Sequence, residues 1–230
     1  MPYNFIISKS IIKIRDIANV NHLSKIKNDS YFVHPKPIYI GQFAGASQIV
    51  NPYSDIRDKK ASRRFGAQNL QEFSYWAGRS CAIAAVQMVL KTIYEEKFTQ
   101  KNMSLVNECL ALGGYDIKTD IGWYHKPLIQ LLKKYNLKAE SKKYIPSSQL
   151  ALDIYNKKFV MASIKYKSGT SLDSHILLLY GVKIVDNQIV GFNYHDPSDY
   201  KQKGDSKFIQ KSDFDKIFTN KAVTINYALN

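Results

Sequence analysis

Four positions in this 230-residue chain have the residue types and the order that thiol chemistry uses. The stretch QEFSYWAGRSCAIAAVQMVL, residues 71–90, leads into an apolar helical repeat and contains Cys81. His175 stands early in the apolar run SHILLLYGVKIV, Asp196 follows the next run in NYHDPSDY, and Gln71 precedes the helix. A thiol attacks as thiolate, which a positive local field such as a helix N-terminus favours. A histidine must reach it as base and then acid. A third group holds the imidazole in one tautomer, and a donor must face the oxygen of the tetrahedral intermediate. A helix start near residue 77, a strand histidine and an aspartate at the end of the next strand would supply the first three. The Gln71 side-chain amide would supply the donor.

The surrounding pattern says which elements carry these residues. Apolar residues at 82, 83, 86, 89, 90 and 93 predict a helix over 77–96 that is buried on most sides. A second helix is expected over about 101–112, ending at Gly113-Gly114, and a third over about 123–135, with Asn136 as its cap. Beyond that the period changes. LKAESKKY reads as a strand, PSSQLALDIYN as a short helix, and KKFVMASIKY, SHILLLYGVKIV and QIVGFNYHD as three strands. Asp186-Asn187 forms a hairpin turn, KSDFDKIF a short helix and AVTINYAL, residues 222–229, a closing strand. Helices first and an antiparallel sheet second make an α+β fold. Residues 1–60 read as an N-terminal extension to a domain over 61–230. In that extension NFIISKSIIKIRDI is expected as a strand and a short helix, and residues 32–55 as mostly loop with short strands. DIRDKKASRRF is expected as an exposed charged link.

Composition removes several function classes. Hydrophobic residues at 45% and charged residues at 23% are ordinary for a globular protein. Lys and Arg outnumber Asp and Glu by 33 to 19, but the excess is spread along the chain, so nucleic acid is not the expected partner. Cys81 and Cys109 do not make a disulfide framework. No pattern has metal-ligand spacing, Gly113-Gly114 lacks a phosphate-loop context, and no cofactor is expected. No run approaches 18 apolar residues, so no membrane span is expected. The N-terminal run carries Lys, Arg and Asp and lacks a small-residue cleavage site, which points to the cytoplasm.

With these motifs in this order, the chain resembles the papain-like cysteine peptidases. Within them it is most similar to the double-glycine leader peptidase domains of bacteriocin exporters. That branch shows Gln, five residues, then Cys-Gly at a helix start; later a strand His followed by Gly-Tyr or similar; then Asp-Pro after a hairpin. Here stand Gln71, EFSYW and Ala77-Gly78; His175 with LLLYGV after it; and Asp196-Pro197. GWYHKPLIQLLKKYNLKAE matches the family's helix-then-strand segment, and the resemblance runs over about residues 68–228.

The resemblance implies a central active-site helix packed on a C-terminal antiparallel sheet, with thiol-dependent hydrolysis of a peptide or protein that has glycine or another small residue before the cut. It implies His175 as base, Asp196 as its orienting group, and Gln71 with the backbone N–H of residue 77 as oxyanion donors. It also implies that residue 77 is the nucleophile position, with Ala77 where the family has Cys. That is either a deliberate inactivating exchange or a natural, catalytically dead binding module that keeps the cleft. The alternative nucleophile is Cys81, about 6 Å further along the helix, for which Gln71 would no longer be aligned. Transpeptidation, deamidation and removal of a protein modifier would use the same acyl-enzyme. His195 is expected to face away from the site, His125 to be exposed and Cys109 to be structural.

Overall fold

The computed structural model describes residues 2–168, 171–199 and 203–226, with side chains for residues 8–165, 174–199 and 203–226. Helices α1 (Pro2–Leu23), α2 (Lys59–Phe65), α3 (Leu70–Ala77), α4 (Cys81–Tyr94), α5 (Asn102–Ala111) and α6 (His125–Lys134) precede most of the sheet. Strands β1 (Asp29–Phe32), β2 (Ile49–Asn51) and β3 (Asp55–Ile56) lie among them. The second half holds β4 (Lys138–Lys143), α7 (Ser147–Tyr155), β5 (Phe159–Ser168), β6 (Ser171–Val185), β7 (Gln188–His195), β8 (Lys207–Gln210), α8 (Lys211–Ile217) and β9 (Phe218–Asn226). The result is α+β, as the order of periodicities implies.

The main sheet is antiparallel and runs β4-β9-β5-β6-β7-β8, with β1 added on β6. Its register places Ile164 beside His175 and Leu178 beside His195. Asp186 and Asn187 both adopt positive φ, 49° and 59°, which closes the β6–β7 hairpin in the tight turn their residue types favour. β9 begins at Phe218, four residues ahead of the expected strand, because α8 ends at Ile217. Residues 227–229 of that expectation lie outside the described residues.

α4 is the hub. Ile83, Val86, Met88, Val89 and Leu90 are fully buried, and α4 packs on β5, β6 and α5. Truncating one such side chain, as in Leu90→Ala, is expected to cost about 2–5 kcal/mol. The helix starts at Cys81, not at 77. Residues up to Ala77 belong to α3, which Asn69 caps by accepting from the Glu72 N–H at 2.8 Å. Gly78, the residue after α3, has no room for a side chain. A Cβ there would sit 2.5 Å from the carbonyl oxygen of Pro52, in the β2–β3 hairpin. That hairpin lies against the turn between the two helices.

Two N-terminal expectations change. Pro2–Leu23 form one helix rather than a strand and a short helix, and it docks on the α7 side of the molecule. Arg15 donates to the carbonyls of Lys143 and Tyr144, both at 3.1 Å, and Ser148 donates to Asp16 at 2.5 Å. The charged link is the helix α2, capped by Asp58 at its start and Gly66 (φ 92°) at its end, and it buries Ala61, Ser62 and Phe65. Leu23, Val33, Phe43 and Ile56 all enter the core. Among the described residues no helix is long and apolar enough to cross a membrane.

Candidate functional site

Three chain segments converge at the N-terminus of α4. Cys81 is the first residue of that helix and is half-buried. Ser80 occupies the cap position without capping, because its hydroxyl donates to the Trp76 carbonyl at 2.5 Å. The first-turn N–H groups of α4, which have no partner inside the helix, are therefore not covered by the cap side chain. The positive end of the helix dipole sits at the same point.

His175 lies on β6 and is 8% exposed. Its Nε2 is 2.8 Å from Asp196 Oδ1, and Cys81 is close enough to its ring to favour the charged form. With Nε2 facing Asp196, Nδ1 is the nitrogen left for the sulfur. Asp196 follows β7 and is held in turn. Its Oδ1 accepts from the Ser198 N–H at 2.9 Å and the Ser198 hydroxyl at 2.7 Å. Its backbone N–H donates to the Gly204 carbonyl, and its carbonyl accepts from Tyr39 Oη at 3.1 Å. Gly204 is needed at that contact, since a Cβ would lie 2.0 Å from the Asp196 carbonyl oxygen.

The electrostatics follow from these partners. Burial opposes a charge on His175, but Asp196 and Cys81 outweigh it and raise its pKa to about 10. Burial likewise pushes Asp196 upward, and the bonds from His175 and Ser198 outweigh it and hold its pKa at about 2. Both shifts favour an imidazolium–carboxylate pair over the neutral alternative.

The other sequence candidates fall elsewhere. Ala77 is fully buried in the last turn of α3 and is a core residue by its surroundings. Gln71 is exposed on α3 and lines a shallow depression with Asn69, Glu72, Tyr75 and Trp76, which includes neither Cys81 nor His175. The residue six before Cys81 is Tyr75, not glutamine. Ser80, a residue type common at helix caps, stands directly before Cys81 and two residues after Gly78. His125 is half-buried rather than exposed, with Nδ1 3.0 Å from Ser141 Oγ and Nε2 3.1 Å from Ser163 Oγ. Burial, with help from Lys221 and Lys143, lowers its pKa. Cys109 is buried, and burial pushes its thiol up to about 12. Ser198 and Tyr39, which the sequence reading did not single out, both hold Asp196. Among the described residues, no group of three or more His, Cys, Asp or Glu side chains is placed to hold a metal ion.

No protein-family model matches the sequence, and no curated protein matches it. Among solved structures, the chain is similar to the peptidase domain of Streptococcus ComA, a bi-functional ABC transporter involved in quorum sensing. The identity is 17%, the TM-score 0.44, and the match covers 65% of this chain and 93% of that one. It is similar to a putative peptidase from Bacillus anthracis, with 16% identity and a TM-score of 0.47 over 65% of this chain and 90% of that one. It is also similar to a double glycine motif protease from an AMS/PCAT transporter, in complex with the leader peptide. There the identity is 20% and the TM-score 0.43, over 65% of this chain and 86% of that one. These identities and scores are low, so the site stands on the chain's own geometry.

Proposed function

We propose that the protein is a cysteine peptidase whose nucleophile is Cys81. The observation that carries this reading is the His175–Asp196 pair, 2.8 Å apart, with Cys81 at the start of α4 near enough to His175 to raise its pKa. On this reading the Cys81 thiolate attacks the scissile carbonyl carbon, and the first-turn N–H groups of α4 receive the oxyanion. His175, as imidazolium, gives its proton to the leaving amine. It then takes a proton from water, which hydrolyses the thioester and frees Cys81. Asp196 stays ionised and holds the ring, in line with its lowered pKa. Ala77 has no part in the chemistry, and the chain needs no exchanged residue to account for it. Gln71 is not the oxyanion donor.

The substrate is a peptide or protein, and the resemblance noted in the sequence points to glycine or another small residue before the cut. A peptide library incubated with the protein and with Cys81→Ala, and read by mass spectrometry for new termini, tests both parts. New termini after small residues that depend on Cys81 support the reading. No cleavage, or cleavage that persists in Cys81→Ala, contradicts it. Transfer of the acyl group to an added amine instead of water would mark transpeptidation at the same site.

A further inference from the structure

Arg79 grips the short turn between α3 and α4 from several directions. Its guanidinium forms a bidentate pair with Asp120, Nε to Oδ1 at 2.9 Å and Nη2 to Oδ2 at 2.7 Å. Nη1 donates to the Tyr53 carbonyl at 3.2 Å and the Tyr75 carbonyl at 3.1 Å. The same group lies 4.2 Å from the centre of the Tyr75 ring. The Arg79 carbonyl accepts from Trp123 Nε1 at 2.7 Å, and Asp120 also accepts from the Tyr115 hydroxyl. The β2–β3 hairpin, α3 and the loop before α6 therefore all meet at the residue two before Cys81. The same loop reaches the histidine strand, since a Cβ on Gly122 would lie 4.0 Å from Ser174 Cβ.

Exposed ion pairs stabilise a fold little. This pair is different in geometry, because a planar fork against a carboxylate fixes orientation as well as distance. The Arg79 side chain is only 17% exposed. The first residue of a helix has its position set by the turn before it, and a misplacement of about 1 Å at a reacting group can cost about 10²-fold in rate.

We propose that Arg79, oriented by Asp120, is a positioning residue that fixes the Gly78–Ser80 turn so that the Cys81 sulfur meets His175. This rests on the reading of Cys81 as nucleophile. The test uses the full chain with Asp120→Asn, Arg79→Gln and Arg79→Lys. For each, the rate of Cys81 alkylation by iodoacetamide is followed by mass spectrometry and the His175 ring titration by NMR, both well below the unfolding temperature. Asp120→Asn and Arg79→Gln are expected to slow alkylation about tenfold or more and to move the His175 titration down from its raised value. Arg79→Lys, which keeps the charge and loses the fork, should fall between. Unchanged alkylation and His175 titration, with only a lower unfolding midpoint, would overturn the proposal and leave Arg79 a structural clasp. If Arg79→Gln does not fold, Asp120→Asn and Trp123→Phe, which removes one bond to the Arg79 carbonyl, decide by the same readouts. Alkylation in the unaltered protein that ignores His175→Ala sinks the nucleophile reading itself. Dependence on His175 with indifference to Asp120 sinks only the role of Arg79.

Discussion

His175 and His195 sit on neighbouring strands, both buried, and their surroundings shift their pKa values in opposite directions. His195 is fully buried. Its Nε2 lies 2.8 Å from the Pro37 carbonyl oxygen, so that nitrogen carries the proton and donates it. Its Nδ1 accepts from the Ser206 N–H at 3.1 Å. An Asp205 oxygen lies 3.2 Å from the same Nδ1, but Asp205 is half exposed and the nitrogen is already accepting. Burial lowers the His195 pKa, and the Pro37 bond and Asp205 do not restore it. His175 meets the same desolvation and ends on the other side of neutrality, because its partners are an ionised carboxylate held by Ser198 and a thiol. Burial is common to both histidines, so the partner decides the charge. Strand alternation makes this possible within two residues, since His195 and Asp196 are consecutive and serve different environments.

The contrast can be broken in order of size. Cys81→Ala should remove peptide cleavage by about 10⁴-fold or more, while His195→Phe leaves cleavage within a few-fold. Asp196→Asn should lose about 10²–10⁴-fold, because the ring is no longer held in the right tautomer. It should also change how stability depends on pH. Asp196 has its pKa lowered, so its contribution is present above about 4, the unfolded value, and is lost as pH falls towards about 2. His175 has its pKa raised, so its contribution is full below about 6.5 and is lost as pH rises through about 10. The stability gap between the unaltered protein and Asp196→Asn, measured by urea unfolding, should therefore be widest between about pH 4 and 6.5. A gap that stays constant from pH 2 to 10 would show that the pair is not charged in the fold.

The smaller effects sharpen the same contrast. His195→Phe leaves the Pro37 carbonyl unpaired and should cost about 1–3 kcal/mol of stability without moving the His175 titration. Ala77→Cys is expected to cost about 1–3 kcal/mol by overfilling the core and to leave the new thiol unlabelled by iodoacetamide, even with Cys81→Ser alongside. Rapid labelling at 77 in that double variant would return the nucleophile to the first sequence reading.

How much of this could be read from the sequence depends on how local the cause is. The helix expected over 101–112 is α5, and that over 123–135 is α6, with Asn136 in the left-handed conformation at its end (φ 56°). Those signals are periodicity and caps, which act within a few residues. The hairpin at Asp186-Asn187 is equally local. The start of α4 is not. Gly78 before it lies against the Pro52 carbonyl of the β2–β3 hairpin, a neighbour distant in sequence, and the spacing from Gln71 pointed at Ala77 instead of Cys81. The N-terminal run of isoleucines has no clean period in either sense, and its docking on the α7 side settles it as a helix. Asp58 and Gly66 did mark both ends of α2, but the charges between them concealed a buried face made of Ala61, Ser62 and Phe65.

The central claim is that Cys81 is activated by His175. It is tested most directly by treating the folded protein with iodoacetamide near neutral pH and mapping the modified sites, alongside His175→Ala. The account predicts rapid modification of Cys81, none of buried Cys109, and a large slowing at Cys81 when His175 is removed. Modification of Cys81 at the same rate with and without His175 would contradict it.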